Sequence, residues 1–168
     1  MFLAFCKVLA PIKWPTSLLK ISRRGLGEPT SRRECSKCAA NFEGVTQPIE
    51  TTARAVARAH LQTGVPIMVH SYPTGHVARR QIEIFREEGV DLGQVKIDHC
   101  NDTTDTEYLE WILDQGCFLG LDRYPGRFVS PHMRTVTLKK LMDMGYTERL
   151  CPSHDCIRLH IHNELPDG

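Results

Sequence analysis

Four apolar runs recur along this chain roughly every 25–30 residues, the length of one βα unit, and helix-like sequence fills the gaps between them. The runs are Val65–Val69, Val95–Ile97, Cys117–Leu121 and Arg149–Pro152. Between them, apolar residues keep a spacing of three or four. Thr51–Thr63 carries Ala53, Val56, Ala57, His60 and Leu61 on one face and stops at Gly64. Val77–Glu88 turns Ile82, Ile84 and Phe85 inward before Gly89. Thr104–Gln115 offers Tyr108, Leu109, Trp111 and Ile112 and ends at Gly116, and Thr135–Met144 ends at Gly145. Near-continuous apolar strands suit a sheet buried on both faces. Pro152 has no N–H to give to a ladder, so the last strand closes there. The alternation predicts an α/β fold with a parallel sheet.

With 168 residues the chain can bury one ordinary core, but an eight-stranded β/α barrel needs about 200 at the least. A formal charge of +1 with 24% charged residues points to no polyelectrolyte, so no nucleic-acid partner is expected. No apolar stretch reaches the roughly 18–20 residues of a membrane span. The seven cysteines, odd in number and scattered through apolar runs, read as buried thiols of a reducing, cytoplasmic compartment. Cys35-Ser36-Lys37-Cys38 has CxxC spacing but no second pair follows, so it reads as small apolar residues flanking Lys37 on a strand. Residues 1–34 are rich in Lys, Arg and Pro and lack a lasting period. They are expected to be an unstructured leader, with a targeting segment as the alternative. Residues 35–155 form the patterned domain, and 156–168 are an unpatterned tail.

The C-terminal ends of parallel strands converge on one rim, which in a β/α barrel is where catalytic residues sit. Here His70 ends the first run, His99 follows the second, Asp122-Arg123 the third, and Ser153-His154-Asp155 the fourth. Two imidazoles at equivalent positions and a carboxylate at another suit Zn²⁺, Mn²⁺ or Fe²⁺, whereas calcium and magnesium prefer all-oxygen sites. Asp155 is a ligand, a general base or a solvated loop residue. A dication brings the pKa of bound water from 15.7 towards about 7, so the chemistry this set suits is metal-assisted hydrolysis. His60 belongs to a core or interface, His76 and His132 to solvent-facing loops, and His160-Ile161-His162 to the tail.

Taken together, Val65–His70, Gln81 to Gly93, Ile97-Asp98-His99 with Asn101-Asp102-Thr103-Thr104-Asp105, Gly120-Leu121-Asp122-Arg123-Tyr124, and Ser153-His154-Asp155 resemble the phosphotriesterase family. That family belongs to the amidohydrolase superfamily, and the likeness is nearest to its lactonase branch. The resemblance implies an incomplete TIM-type (β/α)8 barrel, about strands 4–8. It also gives Lys37, within Lys37-Cys38-Ala39-Ala40, the place of a lysine carboxylated by CO₂ whose carbamate bridges two divalent metals. Zinc is the expected metal, with manganese, cobalt or iron as alternatives. Lys37, His70 and His99 would hold one ion. Asp155 would hold the other and take the proton from a metal-bridging hydroxide that attacks a lactone or a phosphotriester. Arg123 and Asp102 match positions that pass this proton outward or touch substrate. A small-molecule ester is the implied partner, with a homodimer as the assembly. The family's first-strand HxH pair has no counterpart, since the first histidine is His60. The alternative is therefore a catalytically incomplete fragment that binds at most one metal, or a half-barrel needing a partner.

Overall fold

The structure is a computed structural model that describes residues 35–124 and 128–155. Residues 1–34, expected as a leader, and residues 156–168, expected as a tail and carrying the HxH pair, lie outside the described residues. Five parallel strands follow one another across a single sheet: β1 (Ser36–Ala39), β2 (Ile67–His70), β3 (Val95–Asp98), β4 (Phe118–Leu121) and β5 (Leu150–Pro152). Crossovers between parallel strands are right-handed. With the strand order never reversing, every helix falls on the same face of the sheet. This is the winding of a β/α barrel, not of a doubly wound sheet. The fold is the expected one, an incomplete (β/α)8 barrel of α/β class.

The helices are α1 (Gln47–Thr63), α2 (Ala78–Glu87), α3 (Thr106–Asp114) and α4 (Pro131–Asp143). Two begin a turn earlier than periodicity suggests, because local chemistry starts them. Pro48 opens the first turn of α1, where its missing N–H has no helical partner to lose. At α4 the Ser130 side chain accepts from the Met133 N–H and caps the helix, so His132 lies on a helix and not in a loop. Asp105 caps α3 in the same way by accepting from the Tyr108 N–H. Gly64 ends α1 in the left-handed region at φ 69°, donating to the His60 carbonyl.

Alternation along the strands sorts the side chains. Cys38, Ile67, Val69, Val95, Ile97, Leu119 and Leu121 join Ala53, Ala57, Ile82, Phe85, Leu109 and Ile112 in one buried cluster between sheet and helices. His60 is buried with them and its Nδ1 meets the Val65 carbonyl at 2.9 Å. Leu61, expected on the inner side of α1, is exposed, because Ala53, Ala57 and His60 define the buried stripe. On the opposite face, the register aligns Lys37 with Met68 and then Lys96, and Ala39 with His70 and then Asp98. Lys96 and Asp98 form a buried ion pair at 2.9 Å. Gly120 stands beside them, where a Cβ would come within 2.5 Å of Asp98 Oδ1. Cys38, Cys100 and Cys117 are buried free thiols, and burial pushes Cys38 and Cys117 up to about 12, which leaves them unreactive. Among the described residues no helix is long and apolar enough to cross a membrane.

Candidate metal centre

The strand ends deliver the expected residues to one rim. His70 is the last residue of β2, and His99 follows β3 directly. Arg123 stands two residues past β4 and Asp155 three past β5. His99, Arg123 and Asp155 all occupy the left-handed backbone region, at φ 65°, 62° and 46°. That conformation costs a side-chain-bearing residue about 1–2 kcal/mol, and it persists where the surroundings enforce it. At His99 the enforcement is visible. Its N–H reaches Asp122 Oδ2 at 3.3 Å, and its carbonyl accepts from Asp102 at 3.0 Å.

The His99 ring is buried and bonded on both nitrogens. Nδ1 lies 2.9 Å from Asp122 Oδ1, and Nε2 lies 2.7 Å from Nδ1 of His70. An ionised carboxylate only accepts, so the Asp122 contact holds the proton on Nδ1 and leaves Nε2 with a lone pair aimed at His70. Between two facing imidazole nitrogens sits either a shared proton or a cation. Desolvation, helped by His99, Arg123 and Lys37 and opposed by Asp122, lowers the His70 pKa to about 4. The ring is therefore neutral near pH 7, the form that ligates metals. His99, Asp122 and Asp155 each also bring a donor atom within 4.8 Å of the other two, a group that could take a divalent ion. The donor chemistry, imidazole plus carboxylate, fits zinc and its neighbours.

A second row of charges runs away from this point. Asp155 Oδ2 sits 3.7 Å from His99 Nδ1 and accepts from Arg123 Nε at 3.4 Å. Arg123 also donates to Asp102 Oδ2 at 2.8 Å, and Asp102 Oδ1 accepts from Arg134 at 2.8 Å. Arg134 is wholly buried and spends its other donors on the Val129 carbonyl at 2.9 Å and the Asp122 carbonyl at 3.3 Å. Signs thus alternate from the buried Arg134 to Asp155 at the rim.

His70, His99, Asp155, Arg123 and Asp102 are brought together. Lys37 is exposed on β1, two residues before Ala39, which pairs with His70, and its charge is felt by that ring. His76 departs from a purely solvent-facing reading. It contacts Asp105 at 2.9 Å and stacks on Tyr108 with centroids 4.2 Å apart. Three contributors were not assigned from sequence. Asp122 had a usable signal, since it follows β4 directly as His99 follows β3. Asn41, whose Oδ1 meets His70 Nε2 at 2.8 Å, and Arg134 carry no such mark.

The model of the phosphotriesterase family matches residues 34–167. The phosphotriesterase homology protein of Mycobacterium tuberculosis is 37% identical over 161 residues, covering 84% of this chain and 49% of that protein. The aryldialkylphosphatase of Saccharolobus solfataricus is 39% identical over 120 residues, covering 71% of this chain and 38% of its own length. Among solved structures, the phosphotriesterase from Mycobacterium tuberculosis superposes with a TM-score of 0.73 at 36% identity, covering 74% of this chain and 39% of that one. A second, from work on engineering organophosphate hydrolysis from a weak promiscuous lactonase template, gives 0.72 at 27% identity, covering 84% and 46%. The chain spans about half, or less, of the length of these relatives.

Proposed function

The chain belongs to the phosphotriesterase family, and from that premise we propose that it serves a metal-dependent hydrolase of small-molecule esters, lactones or organophosphate triesters. The observation that carries the reading is the pair of inward-facing ring nitrogens, His70 Nδ1 and His99 Nε2, 2.7 Å apart at adjacent strand ends. Lys37, as its carbamate, would complete the set for one ion with His70 and His99, and Asp155 would hold a second. Bound zinc, or manganese, cobalt or iron in its place, supplies Lewis acidity that polarises the ester oxygen and acidifies a water.

The remaining work falls to the chain. Asp155 accepts the proton of the attacking water, held for that task by Arg123. A guanidinium keeps its protons near neutral pH, so Arg123 contributes charge and position to the developing oxyanion and not a proton. Asp102 fixes Arg123 in that pose. In this reading the partner is a small ester, the assembly a homodimer, and the location the cytoplasm, in keeping with the buried free thiols.

A second reading has one observation behind it. Among the described residues, His99, Asp122 and Asp155 are the group of three that could hold an ion, which suits a chain that binds at most one metal without turnover. Metal content after zinc reconstitution, with turnover of a lactone and an aryl phosphotriester, separates the two. Two zinc ions per chain, with turnover lost in His70→Ala and His99→Ala, supports the hydrolase. One ion without turnover supports the second reading, and full activity in both variants sinks the site.

A further inference from the structure

Resting on the metal reading of His70 and His99, we infer that Asn41, in the loop after β1, is the positioning residue that turns the His70 ring into a metal-accepting tautomer. His70 presents Nδ1 to His99 Nε2 and Nε2 to Asn41 Oδ1 at 2.8 Å. A neutral imidazole has one proton and two places for it. Placed on Nδ1, the proton would complete a hydrogen bond to His99 Nε2, whose own lone pair is fixed by Asp122. The two rings would then satisfy each other, and the gap between them would be closed to a cation. Placed on Nε2, it is donated to the Asn41 oxygen and the Nδ1 lone pair is free for a cation, whereas without a cation the 2.7 Å contact between the rings favours the first arrangement.

Asn41 therefore supplies the acceptor that the open ligand pair needs once a cation takes the place of the proton shared by the closed pair. Asp122 does the same for His99 from the other side, so each ring is oriented by a separate outer acceptor. The backbone contributes to the ring's placement and not to its tautomer. The His70 carbonyl accepts from the Ala40 N–H at 3.0 Å and from Gln81 Nε2 at 3.1 Å, which fixes where the residue stands. Asn41 is itself exposed, so replacing its amide removes a hydrogen-bond acceptor without opening the core.

The test uses the full chain and its Asn41→Leu variant, with Asn41→Ser retaining a smaller acceptor. Imidazole ¹⁵N spectra of the zinc-loaded chain should show the His70 proton on Nε2 and hydrogen-bonded, and in Asn41→Leu that hydrogen-bond shift should be lost, with the Nδ1 signal of His99 unchanged. Zinc affinity, read by competition with a chromogenic chelator, should fall by about 10–100-fold in Asn41→Leu, the range for loss of an outer partner of a ligating histidine. Asn41→Ser should recover part of it. A His70 proton on Nδ1 in the zinc-loaded unaltered chain, or a spectrum indifferent to Asn41→Leu, overturns the inference. So does equal zinc affinity in the two. If the unaltered chain takes up no zinc, the metal reading of the pair falls and the inference with it, whereas zinc uptake that Asn41→Leu leaves unchanged overturns the role of Asn41 alone.

Discussion

Replacing Arg134 by Met tests whether the buried charge row is a structural commitment of the rim. The side chain is wholly buried, so no water takes over its bonds. Three are lost, to Asp102 Oδ1 at 2.8 Å and to the carbonyls of Val129 and Asp122 at 2.9 and 3.3 Å. Breaking a buried ion pair by removing one partner costs about 3–5 kcal/mol. Asp102 keeps Arg123 at 2.8 Å, which favours the low end of that range, near ~3. The two stranded carbonyls add about 1 kcal/mol each at the least. Met fills much of the vacated arm, so the cavity contribution is small. The expected loss is about 5 kcal/mol, a large share of the ~5–15 kcal/mol that holds a typical domain together. Adding Asp102→Asn removes the carboxylate that has lost one of its two cationic partners and should return about 1–2 kcal/mol, a coupling of the size seen for residues in contact. Urea unfolding of the parent, both single variants and the double variant reads these values. A loss under about 1.5 kcal/mol in Arg134→Met, or strict additivity in the double variant, would refute the reasoning.

Two further outcomes follow from the same geometry. Gly120→Ala drives a Cβ to within 2.5 Å of Asp98 Oδ1 and 3.0 Å of its Cα, so thermal unfolding should show a loss of about 1–3 kcal/mol; a neutral result would mean the Lys96–Asp98 pair is not held where it appears. His70, held down to about 4 in the metal-free fold, returns to about 6.5 when unfolded. The unfolded chain thus binds the extra proton between those values, and unfolding free energy should rise as pH climbs from about 4 to 6.5 and level off above. His70→Gln should shed that part of the slope, and an unchanged pH profile in the variant would contradict the assignment.

What could be read from the sequence follows from how local its causes are. Near-continuous apolar runs and gaps of period 3.6 are set by the nearest neighbours, so β2 to β5 and the helices were legible to within a few residues. Helix starts governed by Pro48 and Ser130 shifted earlier because capping chemistry outranks periodicity at an end. The rim was legible through a counting rule, since a residue just past a parallel strand points to a shared edge whatever its neighbours are. Arg134 was not, because an arginine on a helix of mixed pattern reads as a solvated face. Its burial depends on Asp102, 32 positions away. Asn41 was hidden for the same reason: its partner, His70, stands 29 residues on.

The left-handed backbone at His99, Arg123 and Asp155 has a consequence for how such a chain can change. Glycine adopts that conformation without penalty and would release about 1 kcal/mol at each place. A search guided by folding alone would therefore accept glycine at these three positions and lose an imidazole, a guanidinium and a carboxylate in doing so. Selection for thermal robustness and selection for chemistry pull in opposite directions at the same three residues. The presence of His, Arg and Asp there records which of the two has prevailed.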